Sequence, residues 1–189
     1  MLDADQQTAV AHGLLAGRPE AWTALYEAYA IDVWRYAARL LGSDPSGVAD
    51  VVQETLLAAA RSARSFDPTR GTLASWLMGI THRQAAQHFR RSLRTPVAAP
   101  HEHHNLQTEA GGPIDELLKR EQAQIVRRVL ADMPAEYAWL LTAKYVDGEP
   151  IAAISQKLGM GEEAVRSKLA RARRLFRQAM GRGQQAIRR

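Results

Sequence analysis

The stretch from Asp147 to Arg177, DGEPIAAISQKLGMGEEAVRSKLARARRLFR, constrains this chain more than any other, because it fits few structures besides two short helices around a tight turn. Pro150 suits the first turn of a helix, where its missing N–H leaves no bond unmade, and Ile151, Ile154 and Leu158 then recur at helical spacing. Gly159 permits the turn. A second helix opens with Glu162 and Glu163, acids favoured at the positive end of the helix dipole, and places Val165, Leu169, Ala172 and Phe176 on one face. The remaining faces carry Arg166, Ser167, Lys168, Arg171, Arg173, Arg174 and Arg177. From Val165 to Arg189 there are nine Lys or Arg and no Asp or Glu, a single-signed field suited to phosphate. The pattern predicts a helix-turn-helix whose second helix enters a DNA major groove while the first braces it.

The 189 residues suffice for one ordinary domain or two small ones, and the formal charge of +5 is unevenly placed. Residues 1–91 hold nine basic and nine acidic groups, residues 92–113 one and two, and residues 114–189 fifteen and nine, so the positive excess is C-terminal. The chain has no cysteine, which excludes disulfides, a thiol nucleophile and zinc-thiolate sites, and agrees with a reducing cytoplasm. No export signal or membrane-length apolar run is evident, so a cytoplasmic protein without membrane insertion is expected.

Taken in order, residues 1–13 lack a clear pattern and are expected to be weakly ordered. A helix from Pro19 to Gly42 places Tyr26, Tyr29, Val33, Ala37 and Leu40 on one stripe. Asp44-Pro45 caps a second helix reaching about Arg64, with Val48, Val52, Thr55, Ala59 and Ala63 inward. Its opposite face sets Leu57 among Asp50, Gln53, Glu54 and Arg61, which periodicity alone reads as a solvated surface. Phe66-Asp67-Pro68-Thr69-Arg70-Gly71-Thr72 is a turn by composition. The next helix, Leu73 to Arg91, buries Leu73, Trp76, Leu77 and Ile80. Its far side, with Ser75, Gly79, His82, Arg83, Ala86 and Arg90, combines small residues with cations in a way that suits a nucleic-acid backbone or a splayed strand.

Residues 92–113, with three prolines and a Gly-Gly pair, read as a linker. His101, Glu102, His103 and His104 fall within it, but without a framework to hold a metal, and no cofactor is expected. Four helices follow: Ile114 to about Leu130, one from Met133-Pro134 to Tyr145, and the helix-turn-helix. The architecture is therefore all-α, a bundle over residues 14–91 and a four-helix unit over residues 114–180, with a basic tail at 181–189.

These motifs together resemble the bacterial RNA polymerase sigma factors of the extracytoplasmic-function type, within the sigma-70 family. Asp50-Val51-Val52-Gln53-Glu54-Thr55 is similar to the helix that docks on the clamp helices of the beta-prime subunit. Phe66-Asp67-Pro68-Thr69-Arg70-Gly71 with Ser75-Trp76-Leu77 looks like the segment that melts and reads the −10 element. Met133-Pro134, Tyr145 to Gly148 and Ala164 to Arg173 resemble the −35 reader.

The resemblance implies a non-enzymatic factor that directs core polymerase to a promoter set. Asp50, Gln53, Glu54, Leu57 and Arg61 would bind polymerase. Phe66, Arg70, Ser75, Trp76, His82, Arg83 and Arg90 would meet −10 DNA, and Glu162, Glu163, Arg166, Ser167, Lys168, Arg171 and Arg174 the −35 duplex. The implied partners are core polymerase, through the beta-prime clamp helices and the beta flap, promoter DNA, and an anti-sigma protein. Departures from the family pattern stand at His82, Arg83 and Gln87, where Arg, Asn and Asp are usual, and at Ala49, where an acid is common. A stand-alone helix-turn-helix regulator with an N-terminal sensor is the alternative.

Overall fold

A computed structural model of the chain describes residues 2–42, 44–92 and 113–187, and every regular element among them is helical. Helix α1 (Ala4–Leu15) corrects the expectation of a weakly ordered N-terminus. Asp3 accepts from the Gln6 backbone N–H at 2.8 Å while the Gln6 side chain accepts from the Asp3 N–H at 3.0 Å. This capping box satisfies two otherwise orphan donors. Val10, Ala11 and Leu14 then anchor the helix in the core.

Helix α2 (Pro19–Leu41) starts on its proline and stops at Gly42, which adopts φ 78. It buries Leu25, Tyr29, Val33, Tyr36, Ala37 and Leu40. Tyr26, expected on this stripe, is 54% exposed, because Leu25 takes the inward position and Tyr26 lies a hundred degrees round from it. Helix α3 (Pro45–Ser62) is capped by Asp44, whose carboxylate accepts from the Gly47 N–H at 3.0 Å and is held below the usual carboxylate range by that bond. It buries Val48, Val51, Thr55 and Ala59, with Val52 half-buried against the same core, and a 3-10 turn at Ala63–Ser65 ends it.

Helix α4 (Leu73–Ser92) is the central element. It packs against α2 and α3, and also against α5 (Pro113–Asp132), α6 (Ala135–Leu141) and α7 (Ile151–Leu158). α6 continues into a π-helical turn at Thr142–Val146, which the sequence pattern did not distinguish from an ordinary helix. α7 ends at Gly159, left-handed with φ 63, and α8 (Glu162–Ile187) completes the predicted helix-turn-helix. The four C-terminal helices are those expected. The two units are not held apart, however: one hydrophobic core joins Leu25, Leu77 and Met78 to Leu130, Met133, Leu140, Ile154 and Val165. The linker histidines, His101, His103 and His104, lie outside the described residues.

Candidate nucleic-acid and polymerase interfaces

Helix α3 presents the first surface. Burial of Val51, Thr55 and Ala59 turns Asp50, Gln53, Glu54 and Leu57 outward, and Leu57 is 44% exposed. Arg61 reaches Glu54 at 3.7 Å, an exposed pair that contributes little to folding. Beside this face, Asp50, Gln53 and Glu54 share a shallow polar cleft with Gln84, Gln87 and His88 of α4. Gln87, noted in sequence as a departure in the −10 reader, thus stands on the α3 side of α4. Gln84 and His88 were missed because they lie on a different helix, and helical periodicity says nothing about which face of α4 meets α3.

The second surface is the loop before α4. Asp67 accepts from the Thr69 N–H at 2.9 Å and from its hydroxyl at 2.7 Å, which lowers the Asp67 pKa and fixes the turn. Phe66 is buried and packs against the half-buried Trp76, with ring centroids 5.4 Å apart. Arg70 and Arg83 are exposed, and Ser75 is half-buried with its hydroxyl donating to the Thr72 carbonyl.

His82 departs most from the open basic face expected of α4. It is 6% exposed, with Nε2 lying 3.1 Å from the Met133 carbonyl oxygen and Nδ1 2.9 Å from the Tyr36 hydroxyl. A carbonyl only accepts, so Nε2 carries the proton, and the neutral ring accepts from Tyr36 through Nδ1. Burial pushes the His82 pKa down, opposed by the Met133 bond and reinforced by Arg90. Ala86 is covered as well, and Arg90 turns towards the C-terminal unit, 3.4 Å from Asp132. The far side of α4 is therefore partly covered, because the C-terminal helices pack over it.

The third surface is α8. Val165, Leu169 and Ala172 are buried, which leaves Glu162, Glu163, Arg166, Ser167, Arg171 and Arg174 exposed on the outer turns. Arg166 is held by Glu162 at 2.8 Å and approaches Glu163 at 3.8 Å. Lys168 pairs with Glu136 of α6, and Arg173 donates to the Tyr145 hydroxyl at 3.2 Å. Among the described residues, Arg171 and Arg174 make no ion pair. The acids at the start of α8 thus fix Arg166 in place, while Arg171 and Arg174 remain available to an external anion.

The sigma-70 region 2 model matches residues 25–95, and the sigma-70 region 4 model matches residues 123–176. The ECF RNA polymerase sigma factor SigL of Mycobacterium tuberculosis (strain ATCC 25618 / H37Rv) is 32% identical over 178 residues, covering 89% of this chain and 96% of SigL. The chain is an ECF sigma factor of the sigma-70 family. SigM of the same strain is 29% identical, covering 94% of this chain and 85% of SigM. CnrH, solved in complex with the cytosolic domain of CnrY, is 21% identical and covers 93% of this chain and 97% of its own, with a TM-score of 0.48.

The region 2 match takes in α3, the Phe66–Thr72 loop and α4, and the region 4 match takes in the helix-turn-helix, so all three surfaces lie within matched segments of the sigma factor. As an ECF sigma factor the chain acts in transcription initiation as an alternative sigma factor, which displaces the reading as a stand-alone regulator. Among the described residues no helix is long and apolar enough to cross a membrane, and no cluster of His, Asp or Glu is placed to hold a metal.

Proposed function

We propose that this sigma factor docks on core RNA polymerase through Asp50, Gln53, Glu54, Leu57 and Arg61, with the beta-prime clamp helices as the contacted element and the beta flap meeting the region 4 unit. Support comes above all from Leu57, an exposed leucine that shares its helix face with Asp50, Gln53, Glu54 and Arg61, on a helix whose other side is buried core. So exposed a leucine contributes little to the core and suits a partner that is apolar at its centre.

On this reading the factor contributes binding and the polymerase the chemistry. Arg70, Arg83 and Arg90, with Ser75 and the Phe66–Trp76 pair, would receive a −10 strand once the duplex opens. Unstacking a base costs a few kcal/mol, which the loop would have to recover. Phe66 and His82 are buried here, so either would meet a strand only if the parts packed over it move. Glu162, Glu163, Arg166, Ser167, Lys168, Arg171 and Arg174 would read or grip the −35 duplex, base edges near the start of α8 and phosphates further along. The linker suits this division: the 20 residues between α4 and α5 reach about 66 Å when extended, against about 58 Å for a spacer of about 17 base pairs. An anti-sigma protein acting between the two units, in the cytoplasm, would complete the regulation.

Mixing the purified chain with core polymerase in the absence of DNA tests the docking. Stoichiometric capture that Leu57→Asp abolishes is expected, and equal capture of both proteins would rule the α3 face out.

A further inference from the structure

The N-terminal helices form a groove that the three surfaces above leave unused apart from Arg61. Between the end of α1, the first turn of α2 and the end of α3, a shallow depression is lined by Leu14, Leu15, Trp22, Ala60, Arg61 and Arg64. Leu14 is buried, Trp22 half-buried and Leu15 40% exposed. The backbone holds this shape. Gly17, at φ 69, donates its N–H to the Leu14 carbonyl at 3.1 Å and lets the Arg18 N–H reach the Gly13 carbonyl at 2.9 Å, a Schellman ending that turns α1 into α2. Gly13 lets the two helices close, since a Cβ there would come within 2.5 Å of the Ala21 Cβ. The charge of the groove is one-sided: of the residues lining it, only Arg61 and Arg64 are charged. Arg64 is exposed and makes no ion pair among the described residues, and Arg61 has only the long, exposed contact with Glu54.

We propose that this groove is a second anchor for core polymerase, taking an apolar side chain flanked by carboxylates from a segment next to the one that covers Leu57. The inference rests on the docking through α3 proposed above. Continuity carries the choice of partner. Arg61 follows Leu57 by four residues, on the same helical face, and Arg64 stands about one turn further on. A protein seated on Leu57 therefore reaches the groove within two turns, about 11 Å. Charge carries the chemistry. Along this face the acids Asp50 and Glu54 precede Leu57, and the cations Arg61 and Arg64 follow it. A complementary partner turns from basic to acidic over the same length, and reversing it would set like charges together, so the gradient also fixes which way round the partner lies. Leu15 and Trp22 add apolar contact at the acidic end of that partner, which a phosphate backbone would not use.

Titrating the full chain against core polymerase without DNA tests the anchor. Leu15→Glu and Arg64→Glu each alter an exposed side chain, so both variants should melt like the parent by circular dichroism. Each should weaken capture by about tenfold or more, and Arg64→Lys should keep most of the affinity. Leu15→Lys should cost less than Leu15→Glu, because the occupant brings carboxylates. Wild-type affinity in both Glu variants overturns the groove, and equal losses from Leu15→Lys and Leu15→Glu overturn its acidic occupant. Should Leu15→Glu unfold, the contrast between Arg64→Glu and Arg64→Lys decides, since Arg64 has no ion pair within the described chain to lose. Leu57→Asp, run beside them, keeps the two readings apart. Neutral groove variants beside a Leu57→Asp that abolishes capture overturn the groove alone, whereas capture untouched by Leu57→Asp overturns the docking through α3. A chain that sediments as a dimer, and as a monomer once Leu15→Glu is introduced, would give the groove to a second copy and overturn the polymerase assignment.

Discussion

His82 Nε2 and the Met133 carbonyl oxygen lie 3.1 Å apart across the seam between the two units, and because a carbonyl only accepts, this bond places a proton on Nε2. The imidazole faces Tyr36 from α2, the Met133 backbone between α5 and α6, and the Arg90 cation on its own helix, itself paired with Asp132.

The direction of pH dependence follows. The packed His82 binds a proton less readily than a free one, so its contribution is complete above the ordinary histidine pKa of about 6.5. It is lost as pH falls through the lowered value. Thermal unfolding at pH 7.5 and 5.5 should show a fall in Tm on acidification. His82→Gln, which retains a donor and an acceptor without titrating, should show a smaller fall. Equal slopes in the two proteins would assign the pH dependence to other groups.

Phe66→Ala is expected to act on stability first. Phe66 is buried against Trp76, and truncating a buried phenylalanine costs about 3 kcal/mol. A melting defect is therefore attributable to strand capture only at temperatures where circular dichroism finds the variant folded. Normal promoter opening by the folded variant would remove Phe66 from the −10 site.

Arg171→Ala should weaken promoter binding and leave polymerase capture unchanged. The cost is about 1–3 kcal/mol if Arg171 meets a base, or a shallower salt dependence if it meets phosphate. Filter binding at two salt concentrations separates these outcomes, and wild-type behaviour at both would place Arg171 outside the interface.

Replacing His101, His103 and His104 together with alanine should leave transcription intact, and the purified protein should hold no stoichiometric zinc at neutral pH. Tight one-to-one zinc by elemental analysis would contradict this.

The helices themselves were legible because their ends are written locally: Pro19 and Gly42 for α2, Asp44-Pro45 for α3, Gly159 for the turn. The α3 face was legible too, since one helical period separates its inner and outer residues. The seam was not. Thr72 meets Lys157 and Arg39 meets Asp147 across 85 and 108 residues, and nothing in the local spacing of a polar side chain names so distant a partner. For the same reason His82 read as part of an exposed basic face. In α1, the Asp3 and Gln6 capping box was present in the sequence, but the small Ala11 and the short run of apolar residues gave little periodicity to announce a buried helix.

The central claim, that this chain makes core polymerase promoter-specific, is tested most directly by run-off transcription with permanganate footprinting on genomic DNA. Core polymerase with the full chain should start at a small set of discrete sites, each with reactive thymines in a −10 bubble, and neither starts nor bubbles should appear at those sites with core alone. The same start sites and footprint with and without the chain would contradict the account.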